Sequence, residues 1–170
     1  MIRECFLQSG PVYIFLPLDL SAELLSTSLL EVPINIHPTI DATAQGKAVS
    51  AILSTLSSSK SPAVLVDALA HRFNAGAETR AFVSKLHVPF YSAAMGKGLV
   101  DETEEMYVGL YNGEVGTPGV GEAATMSDLI ITLGLLPADT NSGGFSRILD
   151  EQKTIHINPF NVVVCYSAYL

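Results

Sequence analysis

The sequence predicts an α/β domain built around a doubly wound parallel sheet. Short, continuously apolar runs such as AVLVD (63–67) and LIITLG (129–134) are typical of parallel strands that are covered on both faces. Segments with helical periodicity alternate with these runs along the chain. Hydrophobic residues make up 48% of the 170 residues and charged residues 15%, which indicates a compact chain with a sizeable core.

The N-terminal part of the chain begins with an apolar run at 11–20 that is rich in β-forming residues. A linker is predicted at 21–44, where two prolines interrupt the chain and no regular period is sustained. From Gln45 the pattern becomes helical, and one face of this helix carries Val49, Ile52, Leu53 and Leu56.

Strands and helices alternate in the middle of the chain. The apolar run at 63–67 predicts a first strand, and VPFYSA at 88–93 predicts a second. Between them, the segment at 77–86 predicts a helix whose inward side chains are Ala81, Phe82 and Leu86.

The C-terminal part continues this alternation. A short helix is predicted at 117–127, with Thr117 as its N-cap and Pro118 at its first position. Three further strands are predicted at 129–134, 154–158 and 162–166, and the last of them is expected at the edge of the sheet.

Charge and composition argue against several classes of protein. The net charge is −8 and the nine Lys and Arg residues are scattered, so a nucleic-acid surface is not expected. No apolar run approaches the roughly 18 residues of a membrane span, and the N-terminus lacks the regions of a signal peptide. Cys5 and Cys165 lie at opposite ends without metal-ligand spacing, so we expect a reduced, cytoplasmic protein without a membrane partner.

Ligands of doubly wound sheets bind where loops leave the carboxyl ends of the strands. Here those loops are DALAHRF (67–73), AAMGKG (93–98) and LLPADTNSGGFS (135–146), which we expect to meet at one edge and to allow a nucleotide crevice. The candidate ligand-binding or regulatory residues in these loops are Asp67, His71, Arg72, Gly96, Lys97, Gly98, Asn141 and Gly143.

Three motifs have both a functional and a structural interpretation. Lys97 between two glycines offers a cation and N–H groups to a phosphate, but the Gly-Lys-Ser/Thr order of a Walker loop is absent, which favours a glycine turn. The glycines at 116–121 lack the order of a dinucleotide fingerprint and favour a helix start. The acidic run at 101–105 favours a solvated helix start over a metal site.

The four histidines do not form a metal site, because no two of them have metal-ligand spacing. His71 lies in a strand-end loop and could contact a ligand, whereas His156 is expected to point away from its neighbouring isoleucines. His37 lies in the linker, and His87 closes the helix at 77–86. No G-x-S-x-G sequence places a nucleophile, so no catalytic, cofactor-binding or metal-binding residue is assigned.

Long stretches of the chain resemble the central, Rossmann-like domain of thiamine-diphosphate-dependent 2-oxoacid decarboxylases, and above all of the fungal pyruvate decarboxylases. The stretches are PAVLVDALAHRF, ETRAFVSKLHVPFYSAAMGKGLVDE and YVGLYNGEVGTPGVGEAATMSDLIITLGLLPADTNSGGFS. The most specific pieces are MGKG (95–98), DTNSGGFS (139–146) and GPVYIFLPLDL (10–20). The last of these resembles the closing strand of the family's N-terminal, pyrimidine-binding domain.

The resemblance implies that a catalytic site lies outside this chain. Members of the family have three α/β domains and bind thiamine diphosphate and Mg²⁺ between the first and the third, using a glutamate, paired histidines and a G-D-G…N motif that this chain lacks. The chain would then consist of the end of the first domain (1–20), a linker (21–44) and the central domain (45–170). By itself it would be inactive, and its partners would be the other domains of a homotetrameric parent enzyme.

The strand-end edge serves different purposes in the family. Some relatives hold a flavin or ADP there, and some yeast-type members use it to sense substrate through a cysteine. This chain resembles the sensing members at DALAHR but has Leu69 and Ala70 where they have cysteine, which argues against thiol-based activation. A free-standing nucleotide-binding module and an oligomerisation scaffold without ligand remain as alternative interpretations.

Overall fold

The computed structural model describes residues 1–36 and 38–169, and it divides the chain into two compact units. The first unit is Met1–Ile40, and none of its described residues is buried. The second unit, Asp41–Leu170, contains the sheet and the hydrophobic core. His37 lies outside the described residues. Among the helices that the structure describes, none is long and apolar enough to cross a membrane.

A seven-stranded sheet forms the centre of the second unit, in the order β3-β2-β1-β4-β5-β6-β7. Strands β1 to β5 are parallel and β6 and β7 are antiparallel, so the predicted doubly wound parallel sheet is confirmed, with an antiparallel hairpin added at one edge. The strands are β1 (Pro62–Val66), β2 (Phe90–Ser92), β3 (Tyr107–Leu110), β4 (Leu129–Leu133), β5 (Thr154–Ile157), β6 (Val162–Val164) and β7 (Ser167–Tyr169).

The described residues form five α-helices. They are α1 (Ile2–Leu7), α2 (Ala42–Ser58), α3 (Ala68–Arg72), α4 (Gly76–Leu86) and α5 (Val120–Thr125). Short 3-10 turns lie at Leu18–Leu20, Thr27–Leu30, Ala94–Gly96, Gly113–Val115 and Glu151–Lys153.

The core consists of two layers, because successive side chains of a strand point to opposite faces of the sheet. One layer contains Val64, Val66 and Ile131 and is covered by α2 and α4. The other layer contains Leu65 and Tyr91 and is covered by α5 and the segment that precedes it. Every residue of β4 is buried, as expected for a central strand of a parallel sheet.

Two helices differ from the sequence prediction in their start or their inward face. Helix α2 begins at Ala42 rather than Gln45, because the carboxylate of Asp41 caps it and accepts hydrogen bonds from two N–H groups at 2.8 and 3.0 Å. Ile52 and Leu56 of the predicted face pack against the core, but Val49 and Leu53 are 48% and 59% exposed, and Ala48 and Ala51 complete the contact face in their place.

Helix α4 presents Phe82 and Leu86 to the core as predicted, but Ala81 is exposed, and Thr79 and Val83 are buried in its place. His87 closes this helix in a left-handed conformation (φ 50°), which confirms its predicted position. The C-terminal strand prediction was partly wrong, because β6 is followed by β7 and is therefore not the edge strand.

The region from 101 to 127 also differs from the prediction. The acidic run at 101–105 forms turns instead of a helix start, and Thr117 is not an N-cap. Helix α5 begins at Val120, after Gly119 in a left-handed conformation (φ 83°), and the Thr117 hydroxyl accepts a hydrogen bond from the Leu110 N–H at 3.1 Å. A residue with positive φ favours glycine, which explains why the helix starts after Gly119.

The apolar run at 11–20 does not form a strand in the structure. Residues 11–20 contain no strand, and their large side chains are exposed, with Tyr13 at 85% and Phe15 at 88%. A strand requires a neighbour to satisfy its backbone N–H and C=O groups, so apolar sequence alone does not produce one.

Candidate functional site

The three predicted strand-end loops meet at one edge of the sheet, and Asp67 lies at their centre. Asp67 directly follows β1, is fully buried, and caps α3 by accepting a hydrogen bond from the Ala68 N–H at 2.6 Å. Its second carboxylate oxygen accepts a hydrogen bond from the Leu136 N–H at 2.9 Å. The carboxylate therefore ties the loop after β4 to the end of β1.

Asn141 joins all three loops through its side-chain amide. Its Nδ2 group donates to both oxygens of Asp67, at 2.7 and 2.8 Å, and to the carbonyl oxygen of Leu136 at 2.9 Å. Its Oδ1 atom accepts a hydrogen bond from the Met95 N–H, in the loop after β2, at 2.8 Å. Because Asn141 is fully buried and its donors and acceptor are all engaged, it acts as a structural connector at this edge.

Arg147 supplies the positive charge that the buried carboxylate requires. Its side chain is 3% exposed, and its Nη2 atom lies 3.7 Å from Asp67 Oδ2. Its Nη1 atom donates to the carbonyl oxygens of Asn141 at 3.0 Å and of Tyr111 at 3.3 Å, so the guanidinium group also reaches the segment after β3. The pKa of Arg147 is lowered from its ordinary value, chiefly because the side chain is buried, and electrostatic interactions with Asp67 and Tyr111 offset part of this effect. Arg147 was not among the site residues predicted from the sequence, although a buried aspartate at a strand end indicates that a cation lies nearby.

Gly96 allows the loop after β2 to approach this network closely. A Cβ atom at Gly96 would lie 2.4 Å from the carbonyl oxygen of Val66 and 2.8 Å from the Cα of Asp67. Gly143, in the loop after β4, has φ 61°, and a Cβ atom there would lie 2.2 Å from the carbonyl oxygen of Asn112. Both glycines are therefore required by close packing of backbone segments.

The Gly96-Lys97-Gly98 segment is a turn whose polar groups bind the carboxylate of Glu102. The Lys97 ammonium group forms an ion pair with Glu102 at 2.5 Å, and the Gly98 N–H donates to the same carboxylate at 3.0 Å. The hydrogen bond between the Lys97 and Glu102 side chains raises the pKa of Lys97 and lowers the pKa of Glu102. The groups that a phosphate would need thus already have an intramolecular partner.

Two further predicted site residues lie on α3. His71 and Arg72 lie in the last turn of α3 and are exposed. Within the described residues, no group of three or more His, Cys, Asp or Glu side chains is arranged to hold a metal ion.

His156 forms a second polar cluster on the other side of β4. Its Nδ1 atom lies 2.9 Å from the Thr132 hydroxyl, and its Nε2 atom lies 2.9 Å from the Glu151 carboxylate. The order hydroxyl, imidazole, carboxylate is that of a nucleophilic triad, but Thr132 is fully buried and cannot reach a substrate. The cluster therefore connects β4 and β5. As predicted, His156 lies on the face opposite Ile155, which packs in the α2 layer.

A groove lies beside the buried network, on the face of the sheet that α5 covers. It has two lobes, of about 530 and 390 Å³, whose common lining residues are Tyr111, Thr125 and Ile148. We call it the Tyr111 groove. The Tyr111 hydroxyl donates to the carbonyl oxygen of Ile148 at 3.0 Å, which joins the groove floor to one wall.

Comparison with known proteins assigns the chain to a family. Residues 49–165 match the model of the thiamine pyrophosphate enzyme central domain, and the chain belongs to this family. It is 38% identical over 169 residues to a pyruvate decarboxylase of Aspergillus terreus, a match that covers 99% of this chain and 30% of the relative. It is 36% identical over 161 residues to pyruvate decarboxylase isozyme 2 of Saccharomyces cerevisiae, covering 94% of this chain and 28% of that protein.

These comparisons confirm the predicted resemblance to fungal pyruvate decarboxylases. The chain spans less than a third of the length of the relatives that it matches.

Proposed function

We propose that this chain is the structural central domain of an enzyme that decarboxylates a 2-oxo acid to an aldehyde without oxidation. The observation that supports a structural role is the network of Asp67, Asn141 and Arg147, because it occupies the strand-end edge with the chain's own side chains. In this proposal the edge joins and stiffens the loops of the domain, and the parent enzyme is a cytoplasmic homotetramer whose other domains are the partners of this one.

The cofactor of the parent enzyme does not fit the residues of this chain. Thiamine diphosphate is bound through a metal ion, and Mg²⁺ requires free carboxylate or carbonyl oxygens. At the strand-end edge the carboxylate of Asp67 already accepts hydrogen bonds from two backbone N–H groups and from Asn141. We therefore assign thiamine diphosphate and Mg²⁺ to the parent enzyme outside this chain, and no catalytic, cofactor-binding or metal-binding residue within it.

The first expected result concerns activity. The 170-residue chain, supplied with thiamine diphosphate, Mg²⁺ and pyruvate, should produce no acetaldehyde, because the chain offers no group that positions the cofactor for reaction. A coupled alcohol dehydrogenase assay measures this directly. Turnover above that of buffer, in a preparation free of contaminating decarboxylase, would contradict the proposal.

The second expected result concerns nucleotide binding. This measurement distinguishes the proposed structural role from that of a free-standing nucleotide-binding module. A nucleotide at the strand-end edge would have to displace Asn141 or Arg147 from Asp67 and leave a buried charge without its partner. We expect NAD, FAD and ADP to bind weakly or not at all in calorimetric titrations. A dissociation constant near 1 μM, about −8 kcal/mol, would favour the nucleotide-binding module instead.

The third expected result concerns the N-terminal segment 1–20, which we assign to the end of a preceding domain. Its apolar side chains are largely exposed, as shown by Phe15 at 88% and Leu18 at 91%, so contacts outside residues 45–170 are needed to cover them. The 170-residue chain should therefore self-associate, and deletion of 1–20 should make it more monomeric without unfolding the domain. A stable monomer of the intact chain in light scattering, with 1–20 protected from proteolysis, would contradict this assignment.

A further inference from the structure

The Tyr111 groove has an apolar floor and an uncompensated negative charge. Buried Ala124 and Ile130 line the smaller lobe together with Tyr111. Glu114 and Glu122 line the larger lobe, and neither carboxylate forms an ion pair or a side-chain hydrogen bond with any residue that the structure describes. The groove thus combines apolar surface with two solvent-exposed carboxylates that have no ion-pair partner among the described residues.

The smaller lobe does not alter this charge balance. It contains Asp150 and Lys153, whose charged groups lie 3.8 Å apart and offset each other. The whole chain is also acidic, with a net charge of −8. Charge complementarity therefore favours an occupant that carries Lys or Arg, and disfavours a second copy of this chain.

A strained turn beside the groove presents an aromatic ring to solvent. Gly143, Gly144 and Phe145 have consecutive positive φ values of 61°, 66° and 64°. This conformation is unfavourable for a bulky side chain, yet the Phe145 N–H is held by the Ser142 hydroxyl at 3.1 Å and the Phe145 ring is 66% exposed. Strained backbone positions of this kind cluster at active sites, ligand clamps and switch regions.

We propose that the Tyr111 groove and Phe145 form a docking surface for another segment of a longer polypeptide that contains this domain. The segment carries Lys or Arg next to apolar side chains, so that its charges face Glu114 and Glu122 and its apolar groups cover Ile148 and Phe145. Large exposed apolar residues near the groove, Val115 at 66% and Ile148 at 78%, supply the contact area.

The length of the relatives indicates where this segment lies. The match covers 30% of the Aspergillus terreus relative, so the remaining 70% of that protein is further polypeptide that such a surface can contact. In this respect the inference rests on the proposed function, which places the chain within a larger enzyme.

Hydrogen exchange in the full-length gene product tests the docking surface. We expect backbone amides of 113–125 and 143–150 to exchange at least tenfold more slowly in the full-length protein than in the 170-residue chain. The double variant Glu114→Lys/Glu122→Lys should remove this protection. A matched control, Glu104→Lys/Glu105→Lys, changes the net charge equally at exposed positions outside the groove and should retain it.

A second variant separates docking from folding. Phe145→Gly relieves the left-handed strain, so it should raise the midpoint of urea unfolding of the 170-residue chain while it removes protection of the groove in the full-length protein. If Phe145 instead stabilised its own domain, its removal would lower the midpoint of urea unfolding. If the charge-reversed variant does not fold, the Phe145→Gly result decides the question.

Three outcomes would overturn the inference: equal exchange rates in the full-length protein and the chain, protection that survives both groove variants, or a gene product that consists of this chain alone. An assay of the full-length protein with 2-oxo acids distinguishes the two proposals. A protected groove in a protein without decarboxylase activity would contradict the proposed function only, and an active decarboxylase with an unprotected groove would contradict the docking surface only.

Discussion

Substitution of Arg147 by methionine is expected to lower the free energy of unfolding by about 3–5 kcal/mol, because it leaves the carboxylate of Asp67 buried without a cation. Asp67 is fully buried and the Arg147 side chain is 3% exposed, so water does not replace the lost guanidinium group. The carbonyl oxygens of Asn141 and Tyr111 lose a donor in the same variant. Urea denaturation followed by circular dichroism measures the change.

The control for this experiment is Lys153→Met, which removes an ion pair with Asp150 whose side chains are 57% and 54% exposed. Exposed ion pairs contribute about 0–1 kcal/mol, so this variant should remain close to the parent chain. The double variant Asp67→Asn/Arg147→Met removes both charges and should lose less stability than the sum of its single variants. If Arg147→Met unfolds like Lys153→Met, the buried network does not stabilise the strand-end edge.

Substitution of Gly143 by alanine is expected to destabilise the chain by about 2–5 kcal/mol, as the sum of left-handed strain and overpacking. The residue has φ 61°, and its new Cβ atom would lie 2.2 Å from the carbonyl oxygen of Asn112. Backbone at either position must move to relieve this contact. The loop from 139 to 146 would then separate from the segment after β3.

Gly144→Ala provides the matched control, because Gly144 has nearly the same φ of 66° but nothing within 4 Å of a new Cβ atom. Its cost should be limited to the left-handed strain of about 1–2 kcal/mol. The difference between the two unfolding free energies therefore isolates the clash with Asn112. Equal destabilisation by the two substitutions would show that the close approach at Gly143 is absent in solution.

The strands of the fold could be predicted from the sequence where burial on both faces leaves a continuous apolar run. AVLVD and LIITLG correspond to β1 and β4, which lie side by side at the centre of the sheet. Strand β3 was missed because YVGL is only partly buried and contains Gly109 with φ 144°, so its pattern is weak. The run at 11–20 shows the converse, because its sequence is strongly apolar but forms no strand.

The candidate site could be located from the sequence but not understood from it. The rule that loops meet at the carboxyl ends of parallel strands brought Asp67, Asn141 and Gly96 together correctly. What these residues do there depends on Arg147, which is 80 positions from Asp67 along the chain. Contacts of such long range leave no local pattern, so only the structure distinguishes a closed network from an open crevice.

Decarboxylase activity of the full-length gene product tests the central claim most directly. The full-length protein and the 170-residue chain would be assayed side by side for release of carbon dioxide from 2-oxo acids, with thiamine diphosphate and Mg²⁺ present. We expect cofactor-dependent release by the full-length protein and none by the chain. Release by the chain alone, or none by a folded full-length protein with any 2-oxo acid, would contradict the claim.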